Sequence, residues 1–411
     1  MGRGYDVMRI GSACSGYGGL DAAVREVLGG ELAWVADNDD GAAKILAHHF
    51  PLVPNLGDIT VTDWRSVEPV DLLAGGYPCQ PDSDAGPRRG AEDERFIWPS
   101  IASALGVLQP RRVFFENVPG HLRRSFPRVL ADLAVLGYHV RWTTVRAADA
   151  GAPHLRARVF IYGDLEVSRP SGSIAAVLRD GAWWQPQETL FGGQIQLGKM
   201  PPDGEMADGY VWLREPEPDP RIIGPLLPTP AASNPNDGES LESWDARNSR
   251  LRELRVNGNG MGTPLAIAIL RLLKTPTAQL AVNGGSQHPD KRRAGGHGPT
   301  LADQVEHLPH HGGAIDWQEY EPAIRQWERL LRPAPAPTAP GRGGKPRLSP
   351  ALAEWMMGLD EGHVTSVPGL TRPQMFRAIG NGVVRQQSAM ALRMLLERAD
   401  AAPLVAARGA A

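Results

Sequence analysis

The sequence predicts an α/β protein in which a doubly wound, mostly parallel sheet is accompanied by a second, smaller and loop-rich domain. Three observations lead to this prediction. Short apolar runs alternate with segments of helical periodicity over residues 1–163. Proline, glycine and asparagine become frequent over residues 164–345. The 411 residues also exceed the roughly 250–300 residues that a single hydrophobic core usually serves.

The apolar runs of the first region have the length and composition of buried strands. They lie at residues 7–10, 32–36, 72–74, 113–115 and 159–162. Helical periodicity begins near Gly19, Gly41, Ile97 and Phe126, so strands and helices follow one another in βαβα order. This order indicates a Rossmann-like sheet with helices on both faces.

The rest of the chain divides into two parts. Residues 164–345 hold only short periodic pieces between turn-forming residues, which favours a second domain built largely of loops. Helical periodicity returns at residues 348–359 and 386–398, which indicates that residues 346–411 pack back on the first domain. The predicted organisation is therefore a first domain over residues 1–163, a second domain over residues 164–345 and a C-terminal segment, residues 346–411, that packs back on the first domain.

Charge and cysteine content limit the possible environments. A net charge of −3 excludes a uniformly basic surface, although basic residues cluster at 247–255 and 291–293. Such clusters are usually solvated surface, but with interleaved Gly, Asn and Gln they are also typical of segments that contact DNA. With two cysteines, no apolar leader and no membrane-length stretch, we expect a cytoplasmic protein that does not enter membranes.

A glycine-rich turn follows the first predicted strand. It reads Cys14-Ser15-Gly16-Tyr17-Gly18-Gly19-Leu20, and glycines there let a ligand approach the backbone and the N–H groups of the next helix. Many strand-to-helix turns contain glycine only for packing, so the turn alone is a weak signal. Asp37 after the second strand and Asp58 further on add carboxylates of the kind that bind ribose hydroxyls. Together these features favour a nucleoside-containing cofactor.

Reactive side chains follow other predicted strands. Pro78 and Cys79 lie on a tight turn, where a thiol is a candidate nucleophile, although most free cysteines are small buried hydrophobes. Glu116 ends the next strand and can protonate or hold a bound base. Arg156 and Arg158 are two residues apart on the last strand, so we expect both guanidinium groups to point the same way, toward an anion or a carbonyl group.

The order of these segments resembles the DNA cytosine-C5 methyltransferase family. Six ordered blocks, spread over about residues 8–397, carry the resemblance, and a variable region separates the fourth of them from the fifth. The blocks are Ser15-Gly16-Tyr17-Gly18-Gly19; Pro78-Cys79-Gln80 with Ser83 and Gly86; Glu116-Asn117-Val118; His154 with Arg156 and Arg158; Arg347-Leu348-Ser349-Pro350 with Glu354-Trp355-Met356-Met357-Gly358-Leu359; and Ile379-Gly380-Asn381-Gly382-Val383-Val384.

The resemblance implies a mechanism in which a cytosine is flipped out of the DNA duplex. Cys79 would add to C6, Glu116 would hold and protonate N3, and Arg158 with Arg156 would bind the base carbonyl or a phosphate. The activated C5 would take a methyl group from S-adenosylmethionine, and no metal would be needed. Residues 164–345 would form the target-recognition domain.

The resemblance also assigns binding residues on a monomer that acts on double-stranded DNA in a bacterial or virus-infected bacterial cell. The cofactor-binding residues would be Cys14, Ser15, Gly16, Tyr17, Gly18, Gly19, Leu20, Asp37, Asn38, Asp58, Ile59, Pro78, Asn381 and Val383. The residues assigned to DNA binding are Gln80, Ser83, Asn117, Arg250, Arg252, Arg292 and Arg293.

Four positions depart from the family pattern. The family has Phe where Cys14 stands, Glu where Asp37 stands, a hydrophobic residue at Asn38 and Phe at Asp82. A carboxylate in place of an aromatic ring is costly unless it is paired or solvated, which indicates a task for Asp82.

These departures leave three hypotheses. The first is methyl transfer from S-adenosylmethionine. The second is hydroxymethyl transfer from methylenetetrahydrofolate, in which Asp82 would orient or deprotonate the attacking water. The third is a non-catalytic DNA-binding protein, although Cys79 and Glu116 are both present. The DNA recognition sequence stays open, as does the choice between restriction, self-protection and DNA hypermodification.

Overall fold

The computed structural model describes residues 7–78, 97–165, 185–188, 194–197, 203–207, 210–213, 241–253, 272–282, 286–295, 298–311, 314–341 and 346–400. Its strands are β1 Arg9–Ala13, β2 Glu31–Ala36, β3 Leu72–Gly75, β4 Arg112–Asn117, β5 His139–Arg146, β6 Ala157–Asp164, β7 Gln185–Glu188, β8 Gln194–Leu197, β9 Gly204–Ala207, β10 Tyr210–Leu213, β11 His310–His311, β12 Ala314–Ile315, β13 Thr338–Pro340 and β14 Pro346–Leu348. Its α-helices are α1 Gly19–Leu28, α2 Asp40–His49, α3 Trp98–Leu108, α4 Phe126–Val135, α5 Leu241–Glu253, α6 Pro289–Ala294, α7 Leu301–Val305, α8 Glu321–Leu330, α9 Pro350–Met356, α10 Arg372–Asn381 and α11 Arg385–Asp400.

Eight of the described strands form one sheet in the order β10-β9-β5-β6-β4-β3-β1-β2. β1 pairs in parallel with β2 and β3, and β3 pairs in parallel with β4. The pairings β4 with β6, β6 with β5, β5 with β9 and β9 with β10 are antiparallel. The predicted α/β fold is confirmed, and the parallel pairings lie in the half of the sheet formed by β1 to β4.

Helices cover both faces of the sheet, because successive strand residues enter opposite cores. Phe114 of β4 packs in the same core as Leu20 of α1 and Leu392 of α11. Its neighbour Phe115 packs on the other face, in a core shared with Trp98 of α3. This is the arrangement that a doubly wound sheet requires.

A third core joins the region 272–330 to the return segment. Trp327 of α8 and Trp355 of α9 are fully buried in it, and Trp327 Nε1 donates to the Trp355 carbonyl at 2.9 Å. Described parts of residues 164–345 therefore pack against residues 346–400. The domain boundaries themselves stay a prediction.

Two strands differ from the sequence-based expectation. β1 begins at Arg9 and runs to Ala13, because it pairs with β2 and β3 along that length. An apolar-run criterion does not find β5, because Arg141 and Thr143 interrupt it, although both are buried and Arg141 Nε donates to Glu205 Oε1 at 3.2 Å. No helix within the described ranges is long and apolar enough to cross a membrane.

Candidate functional site

A cavity of about 410 Å³ opens where β1 to β4 end, at the edge of the sheet that the sequence predicts for ligand binding. Its walls come from the turns that follow these strands, from the start of β6 and from the end of α10. The residues of most interest in its lining are Cys14, Gly16, Asp37, Asn38, Asp58, Ile59, Gly76, Pro78, Glu116, Asn117, Arg156, Arg158, Arg377 and Asn381.

The glycine-rich turn leads from β1 into α1 at the cavity wall. Gly16 and Gly18 have φ angles of 57° and 82°, a left-handed backbone that favours glycine. Cys14 has a φ of 53°, and burial, with a smaller effect from Asp37 and Asp58, raises its pKa to about 12. Cys14 is therefore a neutral thiol that lines the cavity, and it is not an activated nucleophile.

Tyr17 lies away from the lining of the cavity. It is fully buried, and its hydroxyl donates to the carbonyl of Val383 at 2.8 Å. A Cβ atom at Gly19 or Gly382 would collide with the Tyr17 ring. Tyr17 therefore holds the turn against the segment after α10, which is a packing role in this structure.

The other predicted cofactor residues of the turn line a second, smaller cavity. Ser15, Gly19 and Leu20 do so together with Val383. Gly18 lines neither cavity, and its backbone N–H donates to the Ser15 carbonyl at 2.9 Å.

Two acidic residues face the cavity with different partners. One carboxylate oxygen of Asp37 accepts from the Gly16 N–H at 2.8 Å and the other from the Asp39 N–H at 3.0 Å. Burial, its largest influence, raises the pKa of Asp37. Asp58 accepts from the backbone and side chain of Thr60, which lower its pKa, and from Asn38 Nδ2 at 3.3 Å. Both carboxylates keep free acceptor positions toward the cavity.

Glu116 and Arg158 form a buried ion pair in the cavity wall. Arg158 Nε lies 2.7 Å from Glu116 Oε1, and only 9% of the Glu116 side chain is exposed. Burial raises the pKa of Glu116, while Arg158 and Arg156 oppose that effect. The raised pKa makes this carboxyl group easier to protonate than a solvated one, which favours a role in general acid catalysis.

Arg156 lies just outside the strand on which the sequence placed it. It precedes β6 with a φ of 28°, whereas Arg158 lies on β6. The Arg156 guanidinium donates to the backbone carbonyls of Pro276 at 3.4 Å, Gly380 at 3.2 Å and Gly382 at 2.5 Å. Both arginines nevertheless line the same cavity, so their shared direction stays a prediction, while Arg156 also contacts the C-terminal segment.

The nucleophile candidate lies outside the described residues. Cys79 and the neighbouring candidates Gln80, Asp82 and Ser83 follow directly on Pro78, which is itself exposed and lines the cavity. Their assigned roles stay predictions.

Among the DNA-binding candidates, Asn117 is 2% exposed, and its side-chain oxygen accepts from the Val118 N–H at 2.9 Å. Arg292 Nε lies 2.5 Å from Asp303 Oδ2, a fully buried carboxylate that forms the capping box of α7. Arg293 pairs with Asp290 at 2.6 Å on the surface. Two further candidates, Arg250 and Arg252, lie on α5, and Arg250 is exposed.

Sequence reasoning missed two groups at this edge of the sheet. Arg377 of α10 lines the cavity, and its guanidinium lies 3.4 Å from the Asp39 carboxylate. The two residues are 338 positions apart in the chain, so no local sequence pattern can predict this contact. Asp21 of α1 lines the second cavity. Its position directly after the glycine-rich turn could have predicted that Asp21 lies near the cavity.

Comparison with known proteins identifies the family of the first region. Residues 8–187 match the family model described as C-5 cytosine-specific DNA methylase. The Type II methyltransferase M.NlaIV of Neisseria lactamica is 30% identical over 180 residues, which are 39% of this chain and 42% of the relative. The Type II methyltransferase M.DsaV of Dactylococcopsis salina is 34% identical over 155 residues, 36% of this chain and 43% of the relative. The matched parts are thus less than half of each relative.

A solved structure supports the fold alone. The S. pombe Dnmt2 methyltransferase aligns with a TM-score of 0.50 at 14% identity, over 95% of this chain and 99% of that chain. The family resemblance seen in the sequence blocks is confirmed by the match of residues 8–187. Residues 8–187 of this chain are thus similar to the C-5 cytosine-specific DNA methylase family.

Proposed function

We propose that this chain transfers a methyl group from S-adenosylmethionine to C5 of a cytosine in double-stranded DNA. The observation that carries the proposal is the buried pair of Glu116 and Arg158 in the cavity wall. Glu116 lies near the end of β4, which pairs with β3. The chain leads from β3 to Pro78 and then to Cys79. A carboxyl group with a raised pKa, on the strand next to the one that leads to a candidate thiol, suits covalent catalysis on a base.

The cavity fits the proposed donor. Its volume of about 410 Å³ falls within the range of roughly 300–1,000 Å³ typical of small-molecule sites. Asp37 and Asp58 would hold the ribose hydroxyls through their remaining acceptor positions. A Cβ atom at Gly16 would project into open space, which is space that the donor could occupy. When bound, S-adenosylmethionine would supply an electrophilic methyl group.

The residues of the chain would divide the reaction between them. The Cys79 thiolate forms a bond to C6 of the flipped cytosine, and Glu116 gives its proton to N3, so the displaced electron pair makes C5 nucleophilic. C5 would then bond to the methyl carbon, whose bond to the donor sulfur would break. Loss of the C5 proton to water, with return of the N3 proton to Glu116, re-forms the C5–C6 double bond and expels the Cys79 thiolate. Arg158 keeps the Glu116 carboxyl oriented throughout.

Covalent trapping tests the proposal. The full chain is incubated with S-adenosylmethionine and mixed-sequence duplex DNA that contains 5-fluorocytosine, in which fluorine blocks the final elimination. We expect a protein–DNA adduct that survives denaturation and is absent from the Cys79→Ala variant. Because Cys14 is the only other cysteine, this difference assigns the thiol. An adduct of equal yield in the variant contradicts the proposed nucleophile.

Product analysis decides the donor. With unmodified duplex DNA, digestion to nucleosides and mass spectrometry should reveal 5-methylcytosine when S-adenosylmethionine is supplied. Hydroxymethylcytosine formed with methylenetetrahydrofolate alone would instead support the folate hypothesis, which no contact in the described cavity favours. No modified nucleoside with either donor would support the non-catalytic hypothesis.

A role in restriction–modification follows as a further proposal from the Type II designation of both relatives. Expression in a bacterium that lacks cytosine methylation, followed by bisulfite sequencing, should reveal methylation confined to one short sequence. Methylation spread evenly over all cytosines would contradict this role.

A further inference from the structure

A third cavity lies where the region 272–330 meets residues 346–400. Its volume is about 30 Å³, room for about one water-sized group. It shares no lining residue with the two cavities described above. Three arginines line it, Arg292, Arg347 and Arg372, and Glu306 is the acidic residue among the described lining residues. The cavity therefore carries an excess of positive charge.

The carboxylates near this cavity are already engaged. Asp303 pairs with Arg292, whose Nε lies 2.5 Å from Oδ2, so the charge of Arg292 is balanced. Glu306 Oε2 accepts from the Ser286 hydroxyl at 2.5 Å, and Oε1 accepts from the Leu348 N–H at 2.7 Å. The excess charge therefore belongs to the other two arginines.

Arg347 and Arg372 have no counterion in the part of the chain that the structure describes. Arg347, on β14, makes no hydrogen bond with any described residue. Arg372 donates to the Leu348 carbonyl, and its guanidinium carbon lies 4.7 Å from the centre of the Phe376 ring. Burial and then the charge of Arg347 lower the pKa of Arg372, and Glu306 opposes them only in part. Two partly buried cations that repel each other are costly unless an anion joins them.

The donors that remain in this cavity fit a phosphate group. A guanidinium presents its N–H donors in one plane and can bond two phosphate oxygens at once. The Ser286 and Thr300 hydroxyls of the lining donate to neighbouring carboxylates, so they leave the guanidinium groups as the free donors there.

The small volume of the cavity bears on the size of the anion. About one oxygen enters it, and the rest of a phosphate group would stay outside. A free phosphate would then be held by few contacts. A phosphate within a larger polyanion is held in place by the contacts of its neighbours as well, so a nucleic-acid backbone suits this site better.

Helix α10 connects this cavity to the proposed reaction site. Arg372 begins the helix, and Asn381, which ends it, lines the large cavity. The rise of an α-helix over that length is about 14 Å, which corresponds to about four base pairs of duplex DNA. A duplex with one base in the large cavity thus has backbone phosphates at the distance of the two arginines.

We propose that Arg347 and Arg372 together bind one backbone phosphate of double-stranded DNA, a few base pairs from the cytosine that reacts. The inference rests on the proposed function, because it names two DNA contacts of that same reaction. Neither residue is among the DNA-binding candidates of the sequence. Every base pair carries the same phosphates, so this contact would set affinity and position on the duplex, and it would not read the sequence.

The salt dependence of DNA binding tests the inference. Fluorescence anisotropy measures the affinity of the full chain for duplexes of several sequences at a series of potassium chloride concentrations. The logarithm of the association constant falls with the logarithm of the salt concentration by about 0.9 per phosphate contacted. Arg347→Gln should make this slope shallower by about 1. It should weaken every duplex alike, by about fivefold to tenfold near 0.1 M salt.

A double variant tests whether the two arginines share one phosphate. Arg372→Gln should act in the same direction as Arg347→Gln. If both bind the same group, the double variant should lose little more affinity than either single variant. Losses that add in full would mean that the two side chains act independently, and they would overturn the shared site.

The matched control is Arg325→Gln. It removes the same charge from an exposed arginine that is already paired with Glu321 and Glu328, and it should leave the slope unchanged. Arg347→Gln should also keep the wild-type affinity for S-adenosylhomocysteine, the product that the donor leaves after methyl transfer. Thermal unfolding of each variant establishes that it is folded.

The contrary outcomes are distinct. A wild-type slope for Arg347→Gln overturns the inference and leaves the proposed function standing. Calorimetric binding of inorganic phosphate that Arg347→Gln abolishes, with its DNA slope unchanged, would assign the site to a free anion and overturn the DNA contact. If wild-type protein binds no duplex, the proposed function and the inference fail together. A slope that depends on Arg347, without any modified nucleoside, supports the inference and contradicts the proposed reaction alone.

Discussion

Replacement of Asp21 by Asn should change how the stability of the ligand-free chain depends on pH. The carboxyl group is fully buried, and its pKa rises from 3.8 to about 6 on folding. The folded state therefore binds the Asp21 proton more tightly than the unfolded state does. This contribution to stability is complete below about pH 4 and is lost as the pH rises through about 6.

The size of the effect follows from the shift. Each pKa unit corresponds to about 1.4 kcal/mol, so a shift of roughly two units makes the ionised Asp21 cost about 3 kcal/mol of folding free energy above pH 7. Asn at this position has no charge and escapes that penalty. The difference in unfolding free energy, wild type minus Asp21→Asn, should therefore fall by about 3 kcal/mol between pH 4 and pH 7.

Urea unfolding followed by tryptophan fluorescence at several pH values measures this difference, with Asp40→Asn as the exposed control. A wild-type-minus-variant difference that does not change between pH 4 and pH 7 would refute the reasoning, since it would mean that Asp21 does not titrate differently on folding.

Three further predictions concern groups that hold the site together. Glu354→Gln should lower the free energy of unfolding in urea by about 3 kcal/mol. The buried Glu354 carboxylate accepts hydrogen bonds from the backbone N–H groups of three residues in the segment 362–365, and Gln would present an amide donor there. Arg156→Lys should weaken S-adenosylhomocysteine in calorimetry, because an ammonium group cannot reach the three carbonyls that the guanidinium contacts. Tyr17→Phe should cost about 1–2 kcal/mol of stability, because the Val383 carbonyl loses its buried donor.

Each of these has a contrary outcome. Unchanged unfolding of Glu354→Gln would show that the segment 362–365 does not depend on that carboxylate. Equal ligand affinity of Arg156→Lys and wild type would separate Arg156 from cofactor binding. A Tyr17→Phe variant of wild-type stability but reduced affinity would place Tyr17 in the cofactor site, as the sequence motif suggests.

Local patterns predicted the parts of the structure that local physics controls. The turn at Gly16 and the strand end at Glu116 follow from glycine conformation and from apolar runs, and both reach the cavity as expected. The place of Arg156 just before β6 could not be predicted, because a positive φ at a non-glycine residue leaves no mark in the sequence. Its conformation depends on carbonyl groups that lie 120 to 226 residues away.

The direction of β6 was also available from the sequence, once β5 is recognised. Only residues 147–156 connect β5 to β6, whereas a parallel crossover needs about a dozen residues or more. The antiparallel pairing of β6 with β5 is therefore the outcome that the connection length permits. The roles of Cys79 and Asp82 remain predictions of the sequence.

The bonds of Arg156 to Gly380 and Gly382 bear on the order in which the protein is made. A ribosome produces these carbonyl groups 224 and 226 residues after Arg156, when β1 to β6 have already left the exit tunnel. The sheet can form early, but until α10 is synthesised the guanidinium of Arg156 lacks its acceptors and the cavity lacks the wall that Asn381 supplies. The growing chain would thus carry its reactive edge unassembled, and the site would be completed only once α10 has been made.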